Sequence, residues 1–339
     1  MRATVLHAPG DIRLETVPDA VVEDDTDAVV RVVAACVCGS DLWPYRGANG
    51  AQTEPRRIGH ELVGVVEHVG TAVADVEVGD LVVAPFLYSD GTCAHCRRGV
   101  QTSCVNGGGY DGCQAELVRV PFADGTLVRV PQPVDDAPLP HLLTLSDVFP
   151  TGHHAAVSAG VGPGSTVAVV GDGAVGLCAV LAAKRLGAST VVAMSRHEPR
   201  QEMARRFGAD HVVAARGREG AAEVTEVLGG IGADSVLECV GTQDAMTQAF
   251  RSVRPGGTVG YVGVPHGVEL DVRRMFGTNT GLAGGVAPVR RYLDELLPDV
   301  LGGAITPGDV FDLHLPLDEV AEAYRAMDER RAIKVLLRP

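Results

Sequence analysis

The feature that most constrains the fold is a glycine-rich turn at residues 171–176, which reads G-D-G-A-V-G. It follows an apolar run at 166–170 and precedes a helical pattern at 177–186. In that context G-x-G-x-x-G predicts the phosphate-binding turn of a dinucleotide fold, although a chance turn is the alternative in a chain with 42 glycines. The predicted cofactor contacts are Gly171, Asp172, Gly173, Ala174, Val175 and Gly176.

The predicted secondary structure divides the chain into two parts, one rich in strands and one in which strands and helices alternate. The first ~150 residues contain short strands separated by turns, which indicates a β barrel or sandwich. From about residue 165 apolar strands alternate with helices, which predicts a doubly wound parallel sheet. After about residue 283 we expect helices at 289–301 and 317–325 and a final strand at 333–337 that returns to the first domain.

Composition narrows the function classes. The formal net charge of -14 argues against a nucleic-acid partner, since phosphate binding needs clustered Lys and Arg. No apolar run approaches the ~18 residues of a membrane span, so we expect no membrane partner. The first seven residues resemble a strand rather than a signal peptide, so we expect a cytoplasmic protein.

The residues after the second predicted strand indicate the cofactor. A dinucleotide fold that prefers NAD carries Asp or Glu there, and this chain has Ser195 and Arg196, with Arg200 one helical turn later. We therefore expect no carboxylate at this strand end. Arg196 could pair with a 2′-phosphate and Ser195 could donate to it, which favours NADP(H) over NAD(H). A solvated surface Arg196 is the alternative.

A second constellation precedes the dinucleotide fold. Cys38 lies in C-G-S-D and His60-Glu61 follow Gly59. A thiolate, an imidazole and a carboxylate from separate loops can hold Zn²⁺ and leave one position for substrate. Taken singly, Cys38 could be a core thiol and His60 a structural histidine.

Together these motifs resemble, in order, the zinc-dependent medium-chain alcohol dehydrogenases of the medium-chain dehydrogenase/reductase superfamily. The matching segments are 38–41, 59–66, 78–82, 171–176 and 333–335, so the resemblance covers essentially the whole chain. The pattern is closest to bacterial NADP-dependent secondary alcohol dehydrogenases. The resemblance implies an α/β protein with a GroES-like β-rich catalytic domain (1–146 and 286–339) and a Rossmann doubly wound parallel sheet domain (147–285).

The resemblance also implies roles for single residues. Asp147 falls on the position of the third zinc ligand, although it could instead cap a helix, and Glu61 matches a carboxylate that can bind zinc. Ser40 matches a hydroxyl that relays the substrate proton, but Trp43 stands where many relatives have a histidine. Further cofactor contacts are implied for Thr151, under the nicotinamide, and for Lys334, at the pyrophosphate.

A structural zinc site is suggested by three closely spaced cysteines. Cys93, Cys96 and Cys104 match three of the four cysteines of a lobe found in the family, and Asp90 takes the place of the first. An Asp-Cys₃ site is chemically acceptable for Zn²⁺. An empty lobe is the alternative.

These expectations describe a zinc-dependent oxidoreductase that transfers hydride between NADP(H) and a small alcohol or ketone, with a secondary alcohol or polyol favoured. Two alternatives remain: a zinc-free NADPH-dependent enone or quinone reductase of the same superfamily, and a non-catalytic nicotinamide-binding protein. The family is usually dimeric or tetrameric, and residues 271–287 are the expected interface of a homodimer or homotetramer.

Overall fold

The computed structural model describes residues 1–48, 54–131 and 138–339. They divide into two compact units, Met1–Asp147 with Pro288–Pro339, and Val148–Ala287.

The first unit is built mainly from strands. Its elements before the second unit are β1 (Arg2–Ala8), β2 (Asp11–Thr16), β3 (Ala28–Val37), α1 (Leu42–Tyr45), β4 (Arg56–Arg57), β5 (Leu62–Val69), β6 (Leu81–Ala84), β7 (Leu117–Val120), α2 (Ala123–Thr126), β8 (Val128–Arg129) and α3 (Leu139–Thr144). β3 is rich in valine and alanine, and β5 pairs with it antiparallel. Because β-branched side chains pack well on a pleated sheet, these strands form where the apolar runs occur.

The second unit alternates helix and strand. Its elements are α4 (Val148–Ser158), β9 (Thr166–Val170), α5 (Ala174–Arg185), β10 (Thr190–Met194), α6 (Glu198–Arg206), β11 (His211–Val213), α7 (Gly217–Val227), β12 (Ala233–Glu238), α8 (Gln243–Ser252), β13 (Val253–Tyr261), α9 (Val272–Thr278) and β14 (Gly281–Gly284). The sheet order is β11-β10-β9-β12-β13-β14, and all pairs are parallel. The predicted doubly wound sheet is confirmed.

The chain then returns to the first unit through α10 (Val289–Leu301), β15 (Phe311–Pro316), α11 (Val320–Asp328) and β16 (Lys334–Arg338). β16 pairs antiparallel with β3, with Val335 opposite Val37 and Leu336 opposite Cys36. This register places Lys334 beside the end of β3, where Cys38 follows. β16 therefore brings Lys334 next to Cys38, a residue almost 300 positions earlier in the chain.

Each unit has its own apolar core. Around β3 and β5 the core includes Val30, Val32, Leu62 and Val66. In the second unit the central strands are buried on both faces, so their sequences are continuous apolar runs rather than alternating ones.

Two local predictions differ in their bounds from the structure. The helix expected at 177–186 begins earlier, at Ala174, and the helix expected at 317–325 opens with a 3₁₀ turn, Leu317–Glu319, so that α11 begins at Val320. The short helices α1 and α3 also interrupt the strand-rich first part. The sequence did not predict them, because four to six residues are too few to show a helical period. No helix within the described ranges has the length and apolar character needed to cross a membrane.

Candidate functional site

A thiol, an imidazole and two carboxyl groups meet at the end of β3. Cys38 follows β3, His60 and Glu61 lead into β5, and Asp147 directly precedes α4. One ligand atom from each of the four lies within 4.8 Å of the others. The antiparallel pairing of β3 with β5 explains why Cys38 lies close to His60 and Glu61, since the end of one strand meets the start of the other.

The spacing of three of these groups suits a tetrahedral metal ion. Oδ2 of Asp147 lies 3.7 Å from Sγ of Cys38 and 3.3 Å from Nε2 of His60. Ligand bonds of about 2.0–2.3 Å at tetrahedral angles require ligand atoms about 3.3–3.8 Å apart. The sulfur, nitrogen and oxygen donors are those that Zn²⁺ prefers, so the predicted residues Cys38, His60 and Asp147 fit the metal.

Glu61 completes the cluster from one side. Its Oε1 accepts from the Lys334 ammonium at 2.7 Å, and both side chains are 1% exposed. Its Oε2 is buried without a hydrogen-bond partner. A buried carboxylate oxygen without a partner is costly, and a cation at this position would satisfy it.

The ammonium of Lys334 is thus directed at the carboxylate of Glu61, and it also lies 3.4 Å from the carbonyl oxygen of Val37. The expected contact of Lys334 with a pyrophosphate stays a prediction. In this structure Lys334 forms its ion pair with Glu61.

Three residues behind the cluster were not predicted to take part in it. Asp41 is 5% exposed, accepts from the Cys38 backbone at 2.9 Å and lies 3.3 Å from Nδ1 of His60. Gln114 donates to Asp41 at 3.3 Å and accepts from the Tyr324 hydroxyl at 3.1 Å. A carboxylate on the second ring nitrogen fixes the tautomer and orientation of a metal-binding histidine, so this chain of contacts orients His60.

One of these residues left a signal in the sequence. Asp41 lies in the C-G-S-D segment, three residues after a predicted ligand. Gln114 and Tyr324 are remote along the chain and carry no motif, so only the folded structure identifies them.

The electrostatics of the cluster make metal binding depend on pH. Burial raises the pKa of the Cys38 thiol and of the Glu61 carboxyl. Burial lowers the pKa of His60, but the charges of Asp41 and Cys38 raise it by a larger amount, so that the net shift of the pKa is well upward. The groups therefore hold protons that a divalent cation must displace, and metal binding strengthens as pH rises.

The remaining predicted catalytic residue borders the cluster. The Ser40 hydroxyl is exposed and lies 3.5 Å from Nε2 of His60. Trp43, on α1, is half-buried.

The second predicted metal site also assembles. Asp90, Cys93, Cys96 and Cys104 place one ligand atom each within 4.8 Å of the others. The Cys93 and Cys96 sulfurs lie 3.5 Å apart, and Cys104 accepts from the backbone N–H of Asp90 at 3.3 Å. Three thiols and a carboxylate form a closed set of four donors, as in structural zinc sites.

The charges in this lobe are partly offset by the backbone. Burial raises the pKa of Asp90, but N–H groups of Cys93 and Thr92 lower it more, so the net shift is downward. Hydrogen bonds from the Cys96 and Val105 backbone lower the pKa of Cys93 to about 7. Burial raises the pKa of Cys96 to about 12. Cys93 thus ionises more readily than Cys96.

In the second unit the glycine-rich turn lies between β9 and α5. Gly171 has φ +121°, a conformation that favours glycine, and a Cβ on Gly176 would lie 2.0 Å from the Gly171 carbonyl oxygen. The helix therefore packs directly against the turn. Gly173 is the N-cap residue of α5 and a Cβ there would meet nothing within 4 Å. The open space and the N–H groups at the start of α5 fit a phosphate group.

One expectation about this region is wrong. No carboxylate was expected at the end of β10, but the turn brings Asp172 to that position. The Ser195 hydroxyl donates to Oδ2 of Asp172 at 2.8 Å. Arg200, on α6, donates to the Asp172 carbonyl oxygen at 2.9 Å and lies 3.6 Å from its carboxylate. The sequence could not indicate this contact, because Asp172 comes from a different βα connection.

Two further predicted cofactor contacts are placed as follows. Arg196 is exposed directly after Ser195 at the end of β10. Thr151 is 8% exposed on α4. Their contacts with a cofactor stay predictions.

Comparison with known proteins agrees with this geometry. The model of the alcohol dehydrogenase GroES-like domain matches residues 24–132, and the model of the zinc-binding dehydrogenase matches residues 174–298. These matches confirm the predicted GroES-like domain.

Individual relatives match along the whole chain. A Mycobacterium tuberculosis protein with the name "Probable zinc-binding alcohol dehydrogenase" is 37% identical, over all of this chain and 89% of the relative. Zinc-type alcohol dehydrogenase B of Aspergillus flavus is 34% identical, over all of this chain and 81% of the relative. The solved alcohol dehydrogenase of Thermus sp. ATN1 is 34% identical with a TM-score of 0.92, covering 100% of this chain and 99% of that one.

Proposed function

The chain belongs to the zinc-dependent medium-chain alcohol dehydrogenases, and from this premise we propose that it transfers hydride between NADP(H) and a secondary alcohol or polyol, or the corresponding ketone. The observation that carries the proposal is the spacing of Cys38, His60 and Asp147. Cys38, His60 and Asp147 supply three donors of a tetrahedral zinc, and the fourth position would be shared between Glu61 and substrate, whereas a structural site is closed by four fixed donors.

The protein's part in the reaction is to hold and orient. Cys38, His60 and Asp147 would bind the zinc, and Asp41 fixes the ring of His60. Bound there, Zn²⁺ supplies polarisation of the substrate oxygen, and the nicotinamide supplies or accepts hydride. When an alcohol is oxidised, its hydroxyl proton passes to the Ser40 hydroxyl. Because Ser40 is exposed, the proton can continue from there to water.

The preference for NADP(H) is supported by the end of β10. Arg196 is exposed there and could form paired hydrogen bonds with a 2′-phosphate. Ser195 and Arg200 lie near the same strand end, but both contact Asp172, so the support rests on Arg196.

A structural zinc in the lobe is part of the proposal. Its support is the closed donor set of Asp90, Cys93, Cys96 and Cys104. The low pKa of Cys93 supports it too, because a thiolate is the form that binds the metal.

Assembly into a homodimer or homotetramer is also proposed, through residues 271–287. On α9 the side chain of Phe276 is 86% exposed and that of Val272 is 67% exposed. β14 stands at the end of the described sheet order. Exposed apolar residues and an edge strand within one segment are suited to pairing with a second copy.

The test combines metal content with turnover on one preparation. Zinc per chain is measured by mass spectrometry, and oxidation of NADPH and NADH is followed with a panel of ketones, aldehydes and enones. We expect two zincs, faster turnover with NADPH and activity on ketones.

Matched variants assign each metal. Cys38→Ser should lose one zinc and the turnover, whereas Cys96→Ser should lose the other zinc and leave the Cys38 site filled. Enone reduction that persists in Cys38→Ser would indicate the zinc-free reductase. Nucleotide binding without turnover on any substrate would indicate a non-catalytic protein.

A further inference from the structure

The carboxylate of Asp172 lies where a dinucleotide fold selects between its two cofactors. In such folds the residue that ends the second strand meets the 2′-position of the adenosine ribose. Ser195 follows β10, the second strand of this unit, and its hydroxyl donates to Asp172 at 2.8 Å. A negative charge is therefore present at this position although it belongs to the glycine-rich turn.

The hydrogen bond also decides what Ser195 can offer. Its single hydroxyl hydrogen is directed to Asp172, and Ser195 is 2% exposed. The hydroxyl oxygen can then accept a hydrogen bond, which suits a ribose 2′-hydroxyl. A 2′-phosphate carries no hydrogen to donate when fully ionised and would need Ser195 to turn away from Asp172.

Arg200 also contacts Asp172. It donates to the Asp172 carbonyl oxygen and lies 3.6 Å from its carboxylate, and the two side chains are 14% and 15% exposed. Its positive charge is thus partly neutralised before any cofactor binds. Of the three basic or hydroxyl side chains predicted to bind a 2′-phosphate, Arg196 is the exposed one.

We propose that Asp172 is a specificity-determining residue that opposes the 2′-phosphate and keeps NAD(H) usable beside NADP(H). It acts by direct charge repulsion and by holding Ser195 and Arg200. This inference rests on the proposed function. The inference adds that the preference for NADP(H) set by Arg196 is limited by a carboxylate from the turn. Specificity then arises in part from an unfavourable contact with one of the two cofactors.

The test measures binding, independently of turnover. Dissociation constants for NADPH and NADH are determined by fluorescence for the wild type and for Asp172→Asn, in which the amide oxygen can still accept from Ser195. Loss of the charge should raise the preference for NADPH over NADH about tenfold or more, because a like charge within a few ångströms is removed. Competition by 2′,5′-ADP against 5′-AMP should shift in the same direction, since the two differ by the 2′-phosphate.

The control is Glu223→Gln, which makes the same change of charge at an exposed position of α7 and should leave the ratio unchanged. Asp172→Ser, with a smaller neutral side chain, repeats the test if the asparagine variant does not fold. An unchanged ratio in a folded, active variant overturns the inference and leaves the proposed function standing. A wild type that binds neither nucleotide refutes both.

Discussion

At the scale of single residues, the site depends on side chains that hold the metal ligands. Asp41 is the clearest example, because one carboxylate contacts both the backbone of Cys38 and the ring of His60. Gln114 fixes Asp41 in turn, and it is held by Tyr324 on α11.

We expect Asp41→Asn to bind zinc about 10–100-fold more weakly, since residues that orient a metal-binding histidine contribute that much to affinity. An asparagine oxygen can still accept from the Cys38 backbone, so the fold should persist. The measurement is zinc loss against a series of chelator concentrations.

Asp124→Asn is the comparison, because Asp124 also accepts backbone N–H groups but at the surface. That variant should retain zinc as the wild type does. Equal zinc retention in Asp41→Asn and the wild type would contradict the role given to Asp41.

At the scale of elements, the close contact of α5 with the turn before it determines whether the phosphate site forms. A Cβ on Gly176 would lie 2.0 Å from a backbone oxygen, whereas one on Gly173 would meet nothing within 4 Å. We expect Gly176→Ala to lower the free energy of unfolding by about 1–3 kcal/mol, as for other overpacked sites. Gly173→Ala should unfold like the wild type, and chemical denaturation of both variants measures the difference.

Nucleotide binding separates the roles of these two glycines. Gly176→Ala should weaken NADPH binding by displacing α5. Gly173→Ala should weaken it without loss of stability, because its methyl group would occupy the space left for the phosphate. Gly176→Ala with the stability of the wild type would show that the turn is not tightly packed.

The end of β12 gives a pH dependence. Oε1 of Glu238 accepts from the backbone of Val240 and Gly241, at 2.9 and 2.8 Å, while Oε2 is buried without a partner. Burial raises the pKa of this carboxyl more than those hydrogen bonds lower it. The folded state therefore binds the proton more tightly than the unfolded state does.

The contribution of Glu238 to the free energy of unfolding is fully present below the pKa of the unfolded state, about 4.3. It is lost as pH rises through the raised pKa of the folded state. Glu238→Gln does not titrate, so the stability of this variant relative to the wild type should increase between pH 4.5 and pH 8. Denaturation at several pH values measures the trend. The exposed variant Glu223→Gln should show none, and a flat difference for Glu238→Gln would refute the assignment.

At the scale of the whole molecule, the exposed apolar side chains of α9 require an explanation. A phenylalanine that is 86% exposed is unfavourable in a monomer and suited to an interface. We expect Phe276→Asp to reduce the molar mass found by light scattering to that of one chain, about 35 kDa.

Ile231→Asp is the matched control, because Ile231 is 66% exposed in the same unit and lies outside residues 271–287. It should leave the mass unchanged. A wild type that is already a single chain would refute the proposed assembly.

Much of this protein could be predicted from local sequence. The parallel sheet was predictable because strands buried on both faces are continuous apolar runs, and the turn at residues 171–176 because its chemistry lies within six consecutive residues. The two donor sets were predictable because ligand types and short spacings are visible along the chain, and the structure brings both sets together.

Only the tertiary structure decided which side chains meet across long separations. The register of β16 against β3 sets Lys334 beside Glu61, and α11 brings Tyr324 to Gln114. The turn before α5 turns Asp172 toward Ser195, where the sequence alone indicated no carboxylate. Such contacts depend on strand register and side-chain direction, which are set by packing of the whole unit and are not encoded in any short segment.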